Sequence, residues 1–259
     1  MKIDIYQVDA FAQRPFEGNP AAVCPLEKWL PDDLMQSIAM ENNLSETAFF
    51  VLEEDGYRIR WFTPLAEVDL CGHATLAAAW VLFHCLEVEG NEVRFLSRSG
   101  RLAVRRKDEV LELDFPAQAP RSCPVPDGIT RAIGAQPLEC CEFVDLLAIY
   151  DDPAVVRDAR PDMAALAALD YRGVIITAPG EEHDFISRFF GPAVGVPEDP
   201  VTGSAHTKLT PYWAEKLGKN HLRARQVSPR GGDLMCTLKG DRVLIAGQAV
   251  LFLRGTLEV

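Results

Sequence analysis

Two short stretches of the sequence place a glycine among side chains that can bind ligands or transfer protons. They are residues 69–75 (DLCGHAT), here called the first junction, and residues 198–206 (EDPVTGSAH), the second junction. In each one a glycine, Gly72 or Gly203, comes directly before a segment with the pattern of a helix. The first turn of a helix offers free backbone N–H groups and a partial positive charge. We therefore predict that each junction can hold an anion such as a carboxylate.

The residues beside the two glycines differ in their chemistry. Cys71 and Thr202 precede the glycines, and His73 and Ser204 follow them. Two opposed thiols would suit a racemase, but a threonine hydroxyl is far too weak an acid for that role. Cys71 could act alone as a base at a helix N-terminus, although a thiol that only lines the pocket is the preferred interpretation. His73 is expected to be neutral, because the helix dipole disfavours its cation. The plain alternative is that Thr75, Thr202 or Ser204 simply caps a helix.

Two carboxylates stand close to these features. Glu46 begins the apolar segment TAFFVL, where partial desolvation would let a carboxylate accept a proton and return it. The alternative is an exposed glutamate at the end of a strand. Asp199 lies in the second junction, where it could stay ionised beside the helix or bind a substrate amine.

Other catalytic signatures are missing from the sequence. Cys71 and His73 are only two residues apart, and the remaining histidines show no HExxH or HxxxH spacing. There is no G-x-S-x-G elbow, no Walker A loop and no dinucleotide fingerprint. We therefore expect neither a metal ion nor a cofactor.

Composition narrows the class of protein. The 259 residues carry a formal net charge of −12, which argues against a nucleic-acid partner. Seven cysteines without a C-x-x-C pair indicate a reducing compartment. The N-terminal residues lack an apolar signal segment, and no apolar run reaches the length of about 18 residues that a membrane span requires. We expect a cytoplasmic protein without membrane contacts.

The predicted elements occur twice in the same order: strand, loop, helix and meander. Arg60-Trp-Phe-Thr-Pro64 recurs as Arg188-Phe-Phe-Gly-Pro192, an offset of 188 − 60 = 128, and the junction glycines differ by 203 − 72 = 131. By this count the position equivalent to Glu46 falls near Gly173. The alternative is a coincidence between unrelated segments. We predict a duplication, with domains 1–116 and 117–248 and a last strand near 249–259 that returns to the first domain. The predicted elements are a strand over 3–11, a helix after Pro31, strands over 47–52 and 57–62, a helix over 73–86, a meander over 93–115 and a linker over 116–128.

Several segments together resemble a known family. SETAFF, RIRWFTPLAEVDLCGHATLAA and GVPEDPVTGSAH, with the opening VDAF…F-x-G-N-P, are similar to the signature segments of the PhzF-like phenazine-biosynthesis proteins. That family belongs to the diaminopimelate epimerase-like superfamily. The resemblance implies an α+β fold of two pseudo-symmetric domains, each a barrel-like, mostly antiparallel sheet around a central helix, with the site in the cleft between them.

The resemblance also implies a function. It indicates a cofactor-free isomerase of a small carboxylate, commonly a homodimer, with trans-2,3-dihydro-3-hydroxyanthranilate as the substrate of the best-understood member. The family's proton-moving glutamate matches Glu46. Its accompanying residues match His73, Asp199 and Ser204, and the carboxylate cradles match Gly72 and Gly203.

One departure from the superfamily leaves alternatives open. The paired cysteines of an epimerase would fall at Cys71 and Thr202, so only one thiol is present. Related dehydratases combine Cys with Thr, which keeps a Cys71-dependent epimerase or dehydratase in view. A binding protein without catalysis, reusing the same fold, is the third possibility.

Overall fold

A computed structural model describes all 259 residues, and the chain divides into two compact units. The first unit comprises Met1–Asp114 together with Ala246–Val259, and the second comprises Phe115–Ile245. The boundaries lie two and three residues before the predicted ones at 116 and 248. The fold is α+β, and each unit combines a mostly antiparallel sheet with one buried helix. No helix has both the length and the apolar character needed to cross a membrane.

The first unit contains most of the predicted elements. Its sheet pairs β2 with β3 in parallel, and β1 with β2 and β3 with β4 in antiparallel fashion. The elements are β1 (Lys2–Ala10), β2 (Asn19–Leu26), α1 (Asp32–Asn42), β3 (Glu46–Glu53), β4 (Gly56–Phe62), β5 (Glu67–Val68), α2 (Gly72–His84), β6 (Glu92–Ser97), β7 (Gly100–Lys107), β8 (Val110–Pro116) and, numbered last in the chain, β18 (Ala249–Glu258).

Helix α2 is the centre of the first unit. Its run of Ala and Leu favours a helix and leaves no polar face, so the helix must be enclosed on most sides. It packs against β1, β2, β3, β7 and β18, and every residue from His73 to Phe83 except Trp80 is buried. Burial of the whole helix fixes its N-terminus, and with it the first junction.

The second unit repeats this order with additional short elements. Its elements are β9 (Arg121–Cys123), α3 (Ile129–Ile133), β10 (Glu139–Glu142), β11 (Leu146–Ile149), α4 (Pro153–Asp158), α5 (Met163–Ala167), β12 (Val174–Pro179), β13 (Phe185–Gly191), a 3-10 turn (Pro192–Val194), β14 (Val196–Asp199), α6 (Gly203–Leu217), β15 (His221–Gln226), β16 (Gly232–Lys239) and β17 (Arg242–Gly247).

One prediction about this region was wrong. The Pro-rich run 116–128 is not only a linker, because β9 lies within it and pairs with β10. Three residues between prolines are enough for a short edge strand, and such a strand is too brief to show a periodic pattern. The central helix of this unit is α6, which packs against β15 and β16 and ends at Gly218 in the left-handed conformation.

The strand registers make the repeat explicit. Thr47 of β3 lies opposite Phe62 of β4, and Val174 of β12 lies opposite Phe190 of β13. The offset between the two phenylalanines is again 190 − 62 = 128. Glu46, which directly precedes Thr47, therefore corresponds to Gly173. The second unit has no carboxylate at this place.

Candidate functional site

Glu46 and His73 are in contact within the first unit. Glu46 is the first residue of β3 and His73 is the second residue of α2, so the buried central helix brings the imidazole to the start of the strand. The Nε2 atom of His73 lies 3.0 Å from Oε2 of Glu46, and the two side chains are 5% and 17% exposed. The distance between the two atoms permits a hydrogen bond, but the two groups are not oriented to form one. The pair can therefore exchange a proton after a small rotation of either group.

The other ring nitrogen of His73 has different neighbours. Its Nδ1 atom is 3.1 Å from Nδ2 of Asn19 and 3.6 Å from Sγ of Cys71. Asn19 was not singled out from the sequence, although it lies in the quoted F-x-G-N-P segment. The preceding Gly18 has φ +66°, and a Cβ there would collide with the carbonyl oxygen of Ala10. Only glycine fits this turn, and the turn delivers Asn19 to the imidazole.

The protonation of His73 differs from the sequence-based expectation. Burial by itself lowers the pKa of His73, but the acidic neighbours Cys71 and Glu46 raise the pKa well above its ordinary value. Because Cys71 is itself a weak acid here, the Glu46 carboxylate is the charge that acts at neutral pH. A full charge at contact distance outweighs the roughly half charge of a helix end. The imidazole is thus disposed to hold a proton next to the Glu46 carboxylate.

Cys71 is a poor base in this environment. Burial, followed by the charge of Glu46, raises the pKa of its thiol to about 11. The thiol is therefore protonated at neutral pH, and the thiolate is the only form that acts as a base or nucleophile. Cys71 contributes a side chain to the wall of the site.

The same three side chains form a cluster of potential metal ligands. One ligand atom each of Glu46, Cys71 and His73 lies within 4.8 Å of the others. However, Cys71 faces Nδ1 of the imidazole and Glu46 faces Nε2. One ion cannot use both edges of the same ring, so the arrangement suits proton transfer better than tetrahedral metal binding.

The helix ends of both junctions are not capped by their N-cap side chains. Cys71 precedes α2 and Thr202 precedes α6, and neither side chain hydrogen-bonds a backbone N–H of its own helix. The Thr75 hydroxyl instead donates to the Cys71 carbonyl. The alternative interpretation, in which the side chain simply caps its helix, therefore does not apply at these two N-cap positions.

Thr202 is turned towards Asp199 in the second junction. Its hydroxyl donates to Oδ2 of Asp199 at 2.6 Å, and the Nε2 atom of Gln226 donates to the same hydroxyl at 3.2 Å. Gln226 also donates to the Asp199 carbonyl and accepts from the Thr202 N–H. This fully buried glutamine was not predicted from the sequence, and it fixes the loop that carries the carboxylate.

Ser204 is held by two cations. Arg172 donates from Nη2 to the Ser204 hydroxyl at 3.3 Å, and Lys208 donates from Nζ to the Ser204 carbonyl at 2.9 Å. Both cations also contact the fully buried carboxylate of Asp145, Arg172 through two hydrogen bonds of 2.8 and 2.7 Å and Lys208 at 3.1 Å. None of these three residues was predicted as part of the site.

A matching ion pair braces each junction. Arg60 makes two parallel hydrogen bonds of 2.7 and 2.8 Å to Glu67, and Arg188 makes two of 2.7 and 2.9 Å to Glu198. Each guanidinium also lies over the phenylalanine two residues later, at 5.1 Å for Arg60 and 5.0 Å for Arg188. Bidentate pairs of this kind fix geometry as well as charge, so the first loop is anchored just before its junction and the second at the first residue of its junction.

The structure thus groups the predicted residues into two sets. Glu46, Cys71 and His73 form one cluster in the first unit, with Gly72 between the last two in the chain. In the second unit Thr202 contacts Asp199, while Gly203 and Ser204 form the start of α6.

Comparisons with known proteins give a consistent result. The family model described as PhzC-PhzF, phenazine biosynthesis-like protein, matches residues 8–255. A Pseudomonas aeruginosa protein named as an uncharacterized isomerase is 54% identical over 259 residues, covering 100% of both chains. The crystal structure of a PhzF family protein from Enterococcus faecalis is 50% identical, covers 100% of both chains and superposes with a TM-score of 0.98.

A more distant neighbour shows the fold alone. A hydroxyproline epimerase from Agrobacterium vitis is 10% identical, covers 99% of this chain and 92% of its own, and has a TM-score of 0.62. The α+β fold predicted from the sequence, with its likeness to the epimerases, is therefore confirmed.

Proposed function

The chain belongs to the PhzC-PhzF family of phenazine biosynthesis-like proteins and is an isomerase, and on that premise we propose that it moves a proton between carbon atoms of a small carboxylic acid without a cofactor. The observation that carries the proposal is the 3.0 Å contact between Glu46 and His73. It places a carboxylate, the base that the reaction needs, beside a second group that can hold a proton. The proposed substrate class follows from the resemblance to the family. The best-understood member of that family acts on a cyclic acid, trans-2,3-dihydro-3-hydroxyanthranilate.

Glu46 is proposed as the acid and base. Its carboxylate removes a proton from a carbon that is α, or vinylogous, to an acidifying group, and the electron pair moves into the conjugated system. The carboxyl group then returns the proton to a second carbon, so atoms and charges balance within the substrate. General acid–base catalysis of this kind contributes about 10²–10⁴-fold. Positioning and hydrogen bonds to the developing charge must supply the remainder.

His73 supports this role of Glu46 through both of its ring nitrogens. A proton on Nε2 faces the Glu46 carboxylate at 3.0 Å, while Asn19 at Nδ1 holds the ring plane. The Nδ2 atom of Asn19 can only donate, so Nδ1 accepts and Nε2 is the nitrogen that carries the proton of the neutral ring. Burial lowers the pKa of His73, but its acidic neighbours raise that pKa above its ordinary value. His73 therefore orients Glu46 and relays protons to polar substituents of the substrate.

The backbone at the start of each central helix is proposed as a place that binds a carboxylate. Gly72 and Gly203 are the first residues of α2 and α6, and helix starts favour anions. Asp199 and Ser204 are proposed to position polar substituents beside Thr202 in the second unit, and Cys71 lines the cluster with Glu46 and His73 in the first unit. The hydrogen of the Thr202 hydroxyl is already donated to Asp199, so Thr202 is proposed to line the site and not to act as an acid.

An epimerase or dehydratase that depends on Cys71 is the second candidate. A single thiol at a helix start is the feature that favours it. The pKa of about 11, raised first by burial and then by Glu46, opposes it because little thiolate forms at neutral pH. The first proposal therefore explains more of the geometry.

The test is a screen for carbon-bound proton exchange. Wild-type protein is incubated in D₂O with cyclic and acyclic hydroxy and amino acids, including trans-2,3-dihydro-3-hydroxyanthranilate, and deuterium incorporation is measured by mass spectrometry. On a substrate found in this way, Glu46→Gln is expected to lose at least about 10²-fold in turnover and exchange, the lower end of the acid–base contribution.

Glu53→Gln is the matched control, because Glu53 ends the strand that Glu46 begins and pairs with Arg58 on the surface. It is expected to keep wild-type activity. Undiminished turnover and deuterium incorporation in Glu46→Gln would remove Glu46 from the mechanism.

A further inference from the structure

The two units carry different side chains at corresponding positions beside their junctions. Glu46 corresponds to Gly173 by strand register, and His73 corresponds to Ser204, one residue after each junction glycine. A side chain at Gly173 would collide with the ring of Phe189. The space that holds a carboxylate in the first unit is therefore closed in the second.

The residue before Gly173 takes over the contact with the junction. Arg172 reaches the Ser204 hydroxyl, so the first unit pairs a carboxylate with its junction residue and the second pairs a guanidinium with its own. The guanidinium also lies over Phe189, at 5.8 Å from the ring centre. The ring that excludes a side chain at Gly173 therefore also contacts the Arg172 guanidinium.

Asp145 fixes Arg172 from the interior. It accepts two hydrogen bonds from the guanidinium and lies 3.1 Å from the Lys208 ammonium, and it is completely buried. A buried carboxylate held this way cannot be moved without leaving charge unpaired. Lys208 in turn donates to the Ser204 carbonyl. Ser204 is therefore held at its hydroxyl and at its backbone by one rigid network.

We infer that Arg172 is a positioning residue that makes the Ser204 hydroxyl an obligatory hydrogen-bond donor to a carboxylate or carbonyl oxygen of the ligand. The chemical reason is that a guanidinium has only donors. The Ser204 oxygen must accept from Arg172, so its own hydrogen points to another acceptor. The inference rests on the proposed function, in which Ser204 contacts the substrate, and it extends that function to Arg172, Asp145 and Lys208.

The consequence is a difference between the two junctions. In the first unit the junction residue His73 contacts a carboxylate, Glu46, and in the second unit the junction residue Ser204 has a hydroxyl whose direction is set for an acceptor oxygen. A ligand oxygen that can only accept, such as a carboxylate oxygen, would receive the hydroxyl hydrogen, whereas a ligand amine would compete with Arg172 for the lone pairs of the Ser204 oxygen. Specificity for an acidic group at this position would follow from the network rather than from the serine alone.

Acetate serves as the probe, because it isolates the carboxylate from the rest of any substrate. Acetate is titrated into ¹⁵N-labelled protein, and the amide shifts of Gly203 and Ser204 are followed. The variants are Arg172→Gln, Ser204→Ala and the double variant. Glutamine can turn either its oxygen or its nitrogen towards Ser204, so it no longer enforces the direction of the hydroxyl. Arg157→Gln is the control, because Arg157 is an exposed arginine of the same unit that pairs with Glu181.

Wild type and Arg157→Gln are expected to give the same saturable shift. Arg172→Gln and Ser204→Ala should each weaken acetate binding about tenfold, the value of one hydrogen bond to a charged partner. The double variant should lose no more than either single one, because the two residues act as one unit. Asp145→Asn, which removes the anchor charge but keeps an acceptor, should also weaken binding and provides the test if Arg172→Gln does not fold.

Three results would overturn the inference: no saturable shift at Ser204 in the wild type, wild-type affinity in Arg172→Gln, or additive losses in the double variant. Acetate binding does not require Glu46 as a base. A failure here is therefore distinguishable from a failure of the Glu46→Gln exchange test, which concerns the proposed reaction itself.

Discussion

Glu46 and His73 are 27 residues apart in the chain (73 − 46 = 27), yet the Oε2 and Nε2 atoms of their side chains lie 3.0 Å apart. The contact exists because α2 is buried on nearly every side and its first turn lies against the start of β3. It joins a carboxylate at the start of β3 to the imidazole of the first junction.

Replacement of Cys71 by alanine is expected to leave turnover within about threefold of wild type. The thiol is protonated at neutral pH, because burial and then Glu46 raise its pKa to about 11, so its removal deletes no charged group. Steady-state kinetics on the substrate identified in D₂O provide the measurement. Loss of all activity in Cys71→Ala, with a folded protein by circular dichroism, would instead support the epimerase or dehydratase.

Replacement of Asn19 by alanine is expected to reduce turnover about tenfold. The amide contacts Nδ1 of His73 at 3.1 Å, and a buried polar atom left without its partner costs about 1–3 kcal/mol. The ring would lose its fixed plane and present Nε2 poorly to Glu46. The rate constant kcat should fall more than KM rises. A change confined to KM would show that Asn19 binds substrate instead of orienting the imidazole.

Replacement of Arg188 by methionine is expected to lower the free energy of unfolding by about 3 kcal/mol. Methionine keeps the contact with Phe190, but it leaves the half-buried Glu198 without the guanidinium that holds it through two hydrogen bonds. Urea unfolding provides the measurement. Arg14→Met is the control, since Arg14 pairs with Glu17 on the surface and exposed pairs contribute about 0–1 kcal/mol. Equal effects of the two substitutions would contradict the proposed bracing of the second junction.

Because of His206, the second unit is expected to lose stability in acid. Burial lowers the pKa of the His206 imidazole to about 4. The side chain is fully buried, and of its two ring nitrogens only Nδ1 has a hydrogen-bond partner, the Thr202 carbonyl. Between pH 6.5 and 4 the unfolded chain binds a proton that the folded chain does not, so stability falls as the pH is lowered through this window. A shift of this size corresponds to about 3 kcal/mol.

Comparison of wild type with His206→Asn tests this. Asparagine can keep the donor to Thr202 but does not titrate. Unfolding free energies of the two proteins should converge as the pH falls from 7 to 4, because only the wild type loses the contribution. Parallel pH curves would show that His206 does not titrate in this way.

Much of the fold was predictable because its signals are local. The Ala-rich run after Gly72 favours a helix and its lack of a polar face requires burial, and Asn43 ends α1 in the left-handed conformation. The turns of the meander lie at residues 98–99 and 108–109, where Gly100 and Asp108 have positive φ angles. The short elements α3, α4, α5 and β9 were not predicted, because segments of three to six residues carry too little periodicity.

By itself, the sequence determined which residues could do chemistry: two glycine junctions, one glutamate at a strand start, and a thiol without a matching thiol. Tertiary structure alone decided which of them act together. Asn19 reaches His73 across 54 residues, Arg172 reaches Ser204 across 32 and Gln226 reaches Thr202 across 24. Such contacts depend on which strands pair and on where a buried helix ends, and no local pattern records that. The same reason explains the pKa of His73, which neighbours in space raise although its place on the helix predicts the opposite.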